Sequence, residues 1–282
     1  MAETAVAAPR STIGALLAVA TARLAAAGCD SPRLDAELLL GEVLEVPRAR
    51  LVLDRDGQVA SQARARFDGL VLRRAAREPV AYILGRREFR RLTLAVDRRV
   101  LIPRPETELL VEAGLELAPG ASVIDVGTGS GAVALALKDE RPDLDVRASD
   151  VSAQAVAVAR ANATRLGLDV AFEVRDLLDD GARDVDAVLA NLPYVCTGAQ
   201  LMPDVARYEP PGALFGGADG LELVRALIAG VAGDRSRPGL LALEIDPRQG
   251  AAVSRLLAEA GFGCVEVRRD LAGRERVLVG RR

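Results

Sequence analysis

Four residues in succession, Asn191-Leu192-Pro193-Tyr194, follow the apolar run Ala187-Val188-Leu189-Ala190. This is either a strand leaving the core through an ordinary turn or a pocket for something planar. An asparagine side-chain oxygen and a backbone carbonyl before or at the proline can both accept hydrogen bonds from one NH2 group. Proline at the third position removes a competing donor and stiffens the turn. Tyr194 can stack on a planar amide or base. Substrate binding is therefore expected on Asn191, Leu192, Pro193 and Tyr194, with catalysis resting on Asn191, Pro193 and Tyr194 and the Pro193 carbonyl expected as the second acceptor beside the Asn191 side-chain oxygen. The chemistry that suits such a site is transfer of a methyl group to an amino or amide nitrogen. A hydride-transfer site would need a residue to handle the proton of an alcohol, commonly His, Tyr or Lys, and the chain has no His.

A second cluster lies upstream. Asp125 precedes Gly127-Thr128-Gly129-Ser130-Gly131 at the end of an apolar run, "SVIDVG". Glycines at a strand-to-helix turn let the backbone approach a ligand and expose N–H groups at a helix N-terminus. The spacing fits G-x-G-x-G and, with Ala132, also G-x-G-x-x-A, so it indicates a nucleoside-containing cofactor without choosing between NAD and S-adenosylmethionine. Asp150 stands 19 positions beyond Gly131, where a carboxylate can accept from both ribose hydroxyls of an adenosine. Its alternative role is to cap the helix opened by "DVSAQA", which Ser152 could do instead. Asp176 could accept from an adenine amino group with Leu177 packed on the ring; a purely structural role for this pair is as well supported.

These residues need a scaffold that brings chain segments far apart to one edge. From Ser122 onward the pattern alternates strand and helix: "SVIDVG", "GAVALALKDE", "DVRASD", "SAQAVAVARANATRLG", then strands "DVAFEVRD" and "DVDAVLAN". Helix "DGLELVRALIAGVAG", strand "GLLALEI" and helix "PRQGAAVSRLLAEAG" follow, and "CVEVRRD" and "ERVLVGRR" close as an antiparallel pair. Such alternation predicts an α/β fold with a mostly parallel sheet covered by helices on both faces, and ligands bind such sheets at the carboxyl ends of the strands. Upstream, "EFRRLTLAVDRRVLI" (88–102) alternates through Phe89, Leu92, Leu94, Val96 and Val100 and predicts two short strands. "PRPETELLVEAGLEL" then reads as a helix opened by Pro105. Residues 11–77 read as amphipathic helices, the first capped by Ser11 and stopped by Gly28.

Composition narrows the function classes. Three widely spaced cysteines (Cys29, Cys196, Cys264) and the absence of His argue against a disulfide framework and against a zinc or other catalytic transition-metal site. No apolar stretch approaches the ~20 residues that span a bilayer, and the N-terminal residues lack the pattern of a secretion signal, so a cytoplasmic protein is expected. The net charge is −3, but residues 1–100 hold 17 Arg against 12 acidic residues. That basic front could dock on RNA or an acidic protein, or be a solvated helical surface.

Taken together, G-x-G-x-G and N-[LP]-P-Y resemble the S-adenosylmethionine-dependent amino-methyltransferases. Within them, "LIPRPETELLVE" (101–112) and "RYEPPGALFGGADGLELVRALI" (207–228) resemble the release factor glutamine methyltransferases, the PrmC/HemK family, over nearly the whole chain. The resemblance implies a class I, Rossmann-like domain with a seven-stranded sheet at 103–282, a β-hairpin linker at 86–102 and a helical substrate-recognition domain at 1–85. It implies that S-adenosylmethionine, released as S-adenosylhomocysteine, sits on Gly127, Thr128, Gly129, Ser130, Gly131, Asp150, Asp176, Leu177 and Asn191. The implied substrate is the glutamine of the Gly-Gly-Gln loop of bacterial release factors, methylated on its amide nitrogen (N5) by direct displacement, with no metal, no membrane and no stable nucleic-acid partner. The family usually carries Asn-Pro-Pro-Tyr; Leu192 moves the motif toward that of rRNA adenine dimethyltransferases, and an rRNA or DNA adenine N6-methyltransferase is the alternative. Arg104 could orient an acidic group or the cofactor carboxylate, and Glu209 with Pro210-Pro211 is expected to order a loop over the substrate.

Overall fold

The computed structural model describes residues 12–178, 185–232 and 238–282. They form two compact units. One runs up to Gly85 and takes in Met202–Tyr208; the other comprises Arg86–Leu201 and Glu209–Arg282.

The first unit contains helices Ile13–Ala26, Pro32–Leu44, Arg48–Leu53, Ser61–Ala75 and Val80–Leu84. Leu24, Leu39, Leu40, Leu51 and Phe67 fill its core. Ser11 lies outside the described residues; the cap the structure shows is Thr12, whose hydroxyl accepts from Ala15 N at 3.3 Å. The helices Arg48–Leu53 and Val80–Leu84 span under two turns each, too few for a 3.6-residue period to show in the sequence. The helix Pro203–Tyr208 was also not anticipated. It joins this unit because Asp204 is a counter-ion there: it accepts from Arg74 Nη1 at 2.7 Å and from Arg77. Arg74, almost fully buried, also binds Asp35 at 2.7 Å.

The second unit opens with the antiparallel hairpin β1 (Arg86–Phe89) and β2 (Leu92–Ala95). All five apolar residues of the alternating stretch are buried, but β2 ends at Ala95, so Val96 and Val100 are buried from the loop that follows. A one-turn 3-10 helix, Pro105–Thr107, then leads into the helix Glu108–Leu115.

The main sheet has seven strands: β3 (Ser122–Val126), β4 (Asp145–Asp150), β5 (Ala171–Val174), β6 (Ala187–Ala190), β7 (Leu240–Glu244), β8 (Cys264–Arg269) and β9 (Glu275–Arg281). Their order is β5-β4-β3-β6-β7-β9-β8. Strands β3 to β7 pair in parallel, and β9 runs antiparallel to both β7 and β8. Successive residues of the central strands enter two different cores. Val123, Leu189 and Ala242 join one with Leu135 and Leu137; Ile124, Val188 and Leu241 join the other with Leu227 and Leu257. That is why these strands read as unbroken apolar runs.

Register decides where the functional groups meet. Val126 pairs with Ala190, and Ala190 with Leu243. The chain therefore leaves β3 at Gly127, leaves β6 at Asn191 and completes β7 at Glu244, all along one edge. The wholly buried Asn162 braces this edge. Its Oδ1 accepts from Ala95 N at 2.8 Å, while Nδ2 donates to Ala95 O at 3.0 Å and to Ser130 O at 2.9 Å.

Candidate active site

At the carboxyl edge of the sheet lies a cavity of about 270 Å³. Gly127 to Ser130, Asp150, Asp176 and Leu177 line it, as do Asn191, Leu192, Pro193, Thr107 and Arg104.

Its floor is the turn after β3. Gly127 and Gly129 adopt left-handed backbone, with φ of 75° and 57°, a conformation in which a side chain would be strained. Asp150 ties this turn to the end of β4. Its Oδ2 accepts from Gly129 N and its Oδ1 from Ser152 N, both at 2.9 Å. The neighbouring helix is capped by Ser152, whose hydroxyl accepts from Ala155 N at 3.2 Å, so Asp150 does not serve as that cap. Burial raises the Asp150 pKa, against the pull of those two backbone donors. Beneath the turn, Asp125 accepts from the Thr128 hydroxyl at 2.6 Å and from Ala134 N at 3.3 Å. Burial pushes its pKa up to about 6. Leu177, with φ of 50°, presents an apolar wall beside Asp176. The N–H groups of Gly127, Thr128, Gly129 and Gly131 are used internally, on Ser149 O, Asp150 and Thr128 O, so it is the carboxylate of Asp150 and the apolar wall around an open glycine turn that fit a nucleoside-bearing cofactor.

The opposite wall is the motif after β6. Asn191 Nδ2 donates to Thr107 Oγ1 at 3.1 Å. No donor among the described residues reaches Asn191 Oδ1 or the carbonyls of Leu192 and Pro193. The loop Pro211–Leu221 is laid against this motif: Val195 N donates to Leu214 O, and Gly216 N to Val195 O, both at 2.9 Å. A side chain at Gly216 would collide with the Pro193 carbonyl, and one at Gly220 with that of Tyr194. Arg104 donates to Glu209 at 2.6 Å, and Glu209 Oε2 also accepts from Ile102 N at 3.4 Å. Arg104 thus orients an acidic group, one of the two roles its position allowed.

Comparison with known proteins agrees with this arrangement. The PrmC N-terminal domain family matches residues 15–85, and the methyltransferase small domain family matches residues 105–207. The release factor glutamine methyltransferase of Deinococcus radiodurans is 41% identical over 271 residues, covering 95% of this chain and 97% of that one. The enzyme of that name from Moorella thermoacetica is 43% identical over 281 residues, covering 96% and 99%. The chain belongs to the release factor glutamine methyltransferase family. Among solved structures, the hMettl16 catalytic domain superposes with a TM-score of 0.56 at 17% identity, over 73% of this chain and 81% of that one. At that identity the likeness shows the fold alone.

Of the residues expected to bind cofactor or substrate, two do not line the cavity. Gly131 packs against Leu135 and Ala159 at the start of the helix Ala132–Glu140. Tyr194 places its hydroxyl 3.5 Å from Glu244 Oε1, and burial, more than the nearby Glu244, raises its pKa. Leu192 turns its side chain into the core, where its Cδ2 occupies the space left by the missing side chain of Gly127.

Sequence reasoning missed Thr107 as the partner of Asn191, and it missed Glu244 and Gln249 entirely. Gln249 Nε2 donates to the carbonyls of Tyr194 and Gly220 at 3.2 Å, which locks the glycine loop to the motif. One signal was available: "ALEIDPRQ" is a second apolar run that ends in a polar side chain at the same sheet edge.

Proposed function

We propose that this protein transfers the methyl group of S-adenosylmethionine to the side-chain amide nitrogen of the glutamine in the Gly-Gly-Gln loop of peptide chain release factors. The observation that supports this most is the pair of unpaired acceptors, Asn191 Oδ1 and a backbone carbonyl of the same motif. They stand on the wall of the cavity whose floor is the glycine turn. An NH2 group offers two donors, and this wall offers two matching acceptors. Gly216 crowds the Pro193 carbonyl, which makes the Leu192 carbonyl the more open of the two.

A glutamine amide nitrogen is a poor nucleophile because its lone pair is delocalised into the carbonyl. Holding both N–H bonds would aim that lone pair at the incoming carbon, and good orientation alone can supply several of the ~7–11 kcal/mol available from positioning. Bound S-adenosylmethionine supplies a methyl carbon already activated by the sulfonium. Asp150 would accept from the ribose hydroxyls, and Asp176 with Leu177 would hold the adenine. The amide proton becomes acidic only after transfer and can leave to water or to a backbone acceptor. The helical unit would contact the release factor.

The experiment is transfer of labelled methyl from S-adenosylmethionine to a purified release factor, with a factor carrying Gln→Ala in the Gly-Gly-Gln loop as control. Label on the natural factor and none on the control supports the reading; equal labelling of both refutes it.

A further inference from the structure

The four residues Asn191–Tyr194 keep one shape only if both of their ends are held. β6 holds the front end, since its last residue, Ala190, pairs with Val126 on one side and with Leu243 on the other. The back end is the peptide between Tyr194 and Val195. Its N–H, on Val195, donates to Leu214 O at 2.9 Å. Its carbonyl, on Tyr194, accepts from Gln249 Nε2 at 3.2 Å, and no other donor among the described residues reaches it.

Gln249 closes the one-turn 3-10 helix Pro247–Gln249, just after β7, so it is placed by the strand beside β6. Its side chain is buried. Nε2 also donates to Gly220 O at 3.2 Å and to Asp219 O at 3.4 Å, and neither carbonyl has another donor among the described residues. The direction of the amide is fixed from both sides, because Oε1 accepts from Asp246 N at 3.1 Å. A backbone N–H can only donate and a carbonyl can only accept, so one orientation alone satisfies every partner.

We infer that Gln249 is a positioning residue for methyl transfer: its NH2 group pins the Tyr194 carbonyl to the glycine loop and so fixes the acceptor carbonyls of the motif. This rests on the reading above, in which the motif holds the reacting amide. Only the two backbone dihedrals of Tyr194 separate the pinned peptide from the Pro193 carbonyl. The Pro193 ring locks one of the next two, which lead to the Leu192 carbonyl. Without the amide, three carbonyl oxygens would face one another with no proton between them, and their dipoles would push motif and loop apart. Gln249 does not line the cavity, so it acts through the motif and not on the substrate.

The test is kcat at saturating S-adenosylmethionine and release factor for the natural protein, Gln249→Met and Gln249→Glu, between about pH 6 and about pH 8. Gln249→Met keeps the size and loses the donor. Its kcat falls about 10- to 100-fold at every pH, the range expected when a reacting group is misplaced by up to ~1 Å. Gln249→Glu keeps an acceptor for Asp246 N, but at the alkaline end it turns a carboxylate on the three carbonyls and loses as much. As pH falls, its buried carboxyl takes up a proton and regains one donor, so the ratio of its kcat to the natural value rises at least about threefold. Cofactor affinity by calorimetry stays within about twofold, and both variants remain folded by circular dichroism. Natural kcat in Gln249→Met, a pH-independent ratio in Gln249→Glu, or cofactor affinity that falls as much as kcat overturns the inference. So does a variant that no longer folds, because Gln249 then serves the fold and not the site. Asn191→Ala is run beside them. If it keeps turnover, the reading of the motif fails and the inference with it; if it is inactive while Gln249→Met turns over as the natural protein does, only the inference fails.

Discussion

At the scale of single residues, the site depends on which polar atoms are left without partners. Most side-chain hydrogen-bonding capacity at the sheet edge is used internally: Thr128 on Asp125, Arg104 on Glu209, Gln249 on the glycine loop. Asn191 Oδ1 is an exception, and it is the proposed acceptor for the reacting nitrogen. Asn191→Ala is therefore expected to keep the fold, by circular dichroism and melting temperature, and to lower turnover at least ~100-fold, as loss of one oriented polar contact can. Near-normal turnover would refute its role. At this scale the sequence was legible where residue type alone limits the chemistry. Asn, Pro and a glycine turn have few reasons to end apolar strands. It was not legible where the partner is remote: Thr107 and Asn191 are 84 positions apart, and nothing in either segment points to the other. Leu192, read as a possible sign of an adenine substrate, is a core residue packed on Gly127.

Among the elements, the strands of the second unit were readable because a parallel sheet buried on both faces writes itself as short apolar runs between helices. The closing pair β8–β9 was readable for a different reason, a connection too short for a crossover. The small helices Arg48–Leu53, Val80–Leu84 and Pro203–Tyr208 were not, since tertiary contacts and not periodicity hold them. Close packing of the loop Pro211–Leu221 on the Asn191–Tyr194 motif belongs to the same scale. Gly220 has φ of 75°, and a side chain there meets the Tyr194 carbonyl. Gly220→Ala is expected to lower stability by about 1–3 kcal/mol, from backbone strain and displacement. It should also lower turnover more than cofactor affinity, because the glycine turn proposed to bind the cofactor is on a different loop. Equal losses of turnover and cofactor affinity would show that the loop does not act through the motif.

For the whole molecule, charge burial sets the response to mutation and to pH. In the helical unit, Arg74 and Arg77 converge on Asp204. Asp204→Asn removes the charge that compensates a buried guanidinium, and breaking such a pair costs about 3–5 kcal/mol. Thermal unfolding should show the loss, and a melting temperature within a degree or two of the natural one would contradict it. Asp125 and Glu244 have pKa values raised by burial to about 6 and about 7. A raised folded-state value means that their contribution to stability is present below the ordinary carboxylate range and is lost as pH rises through those values. Glu37 and Glu140, held low mainly by Arg48 and Arg90, behave oppositely and lose theirs as pH falls. Stability is thus expected to fall between pH ~4 and pH ~7 through these two groups, and Glu244→Gln should flatten that slope. A steeper slope in the variant would contradict the assignment. No helix among the described residues is long and apolar enough to cross a membrane.

The central claim, that the acceptor pair after β6 holds a glutamine amide, is tested most directly by competition. The purified protein and labelled S-adenosylmethionine would be offered a release factor and an adenine-containing RNA together, with the label then located by mass spectrometry. The expected result is one methyl group on the glutamine of the Gly-Gly-Gln loop and none on the RNA, with that label lost in Asn191→Ala. Methyl groups on adenine, with the release factor unmodified, would contradict it.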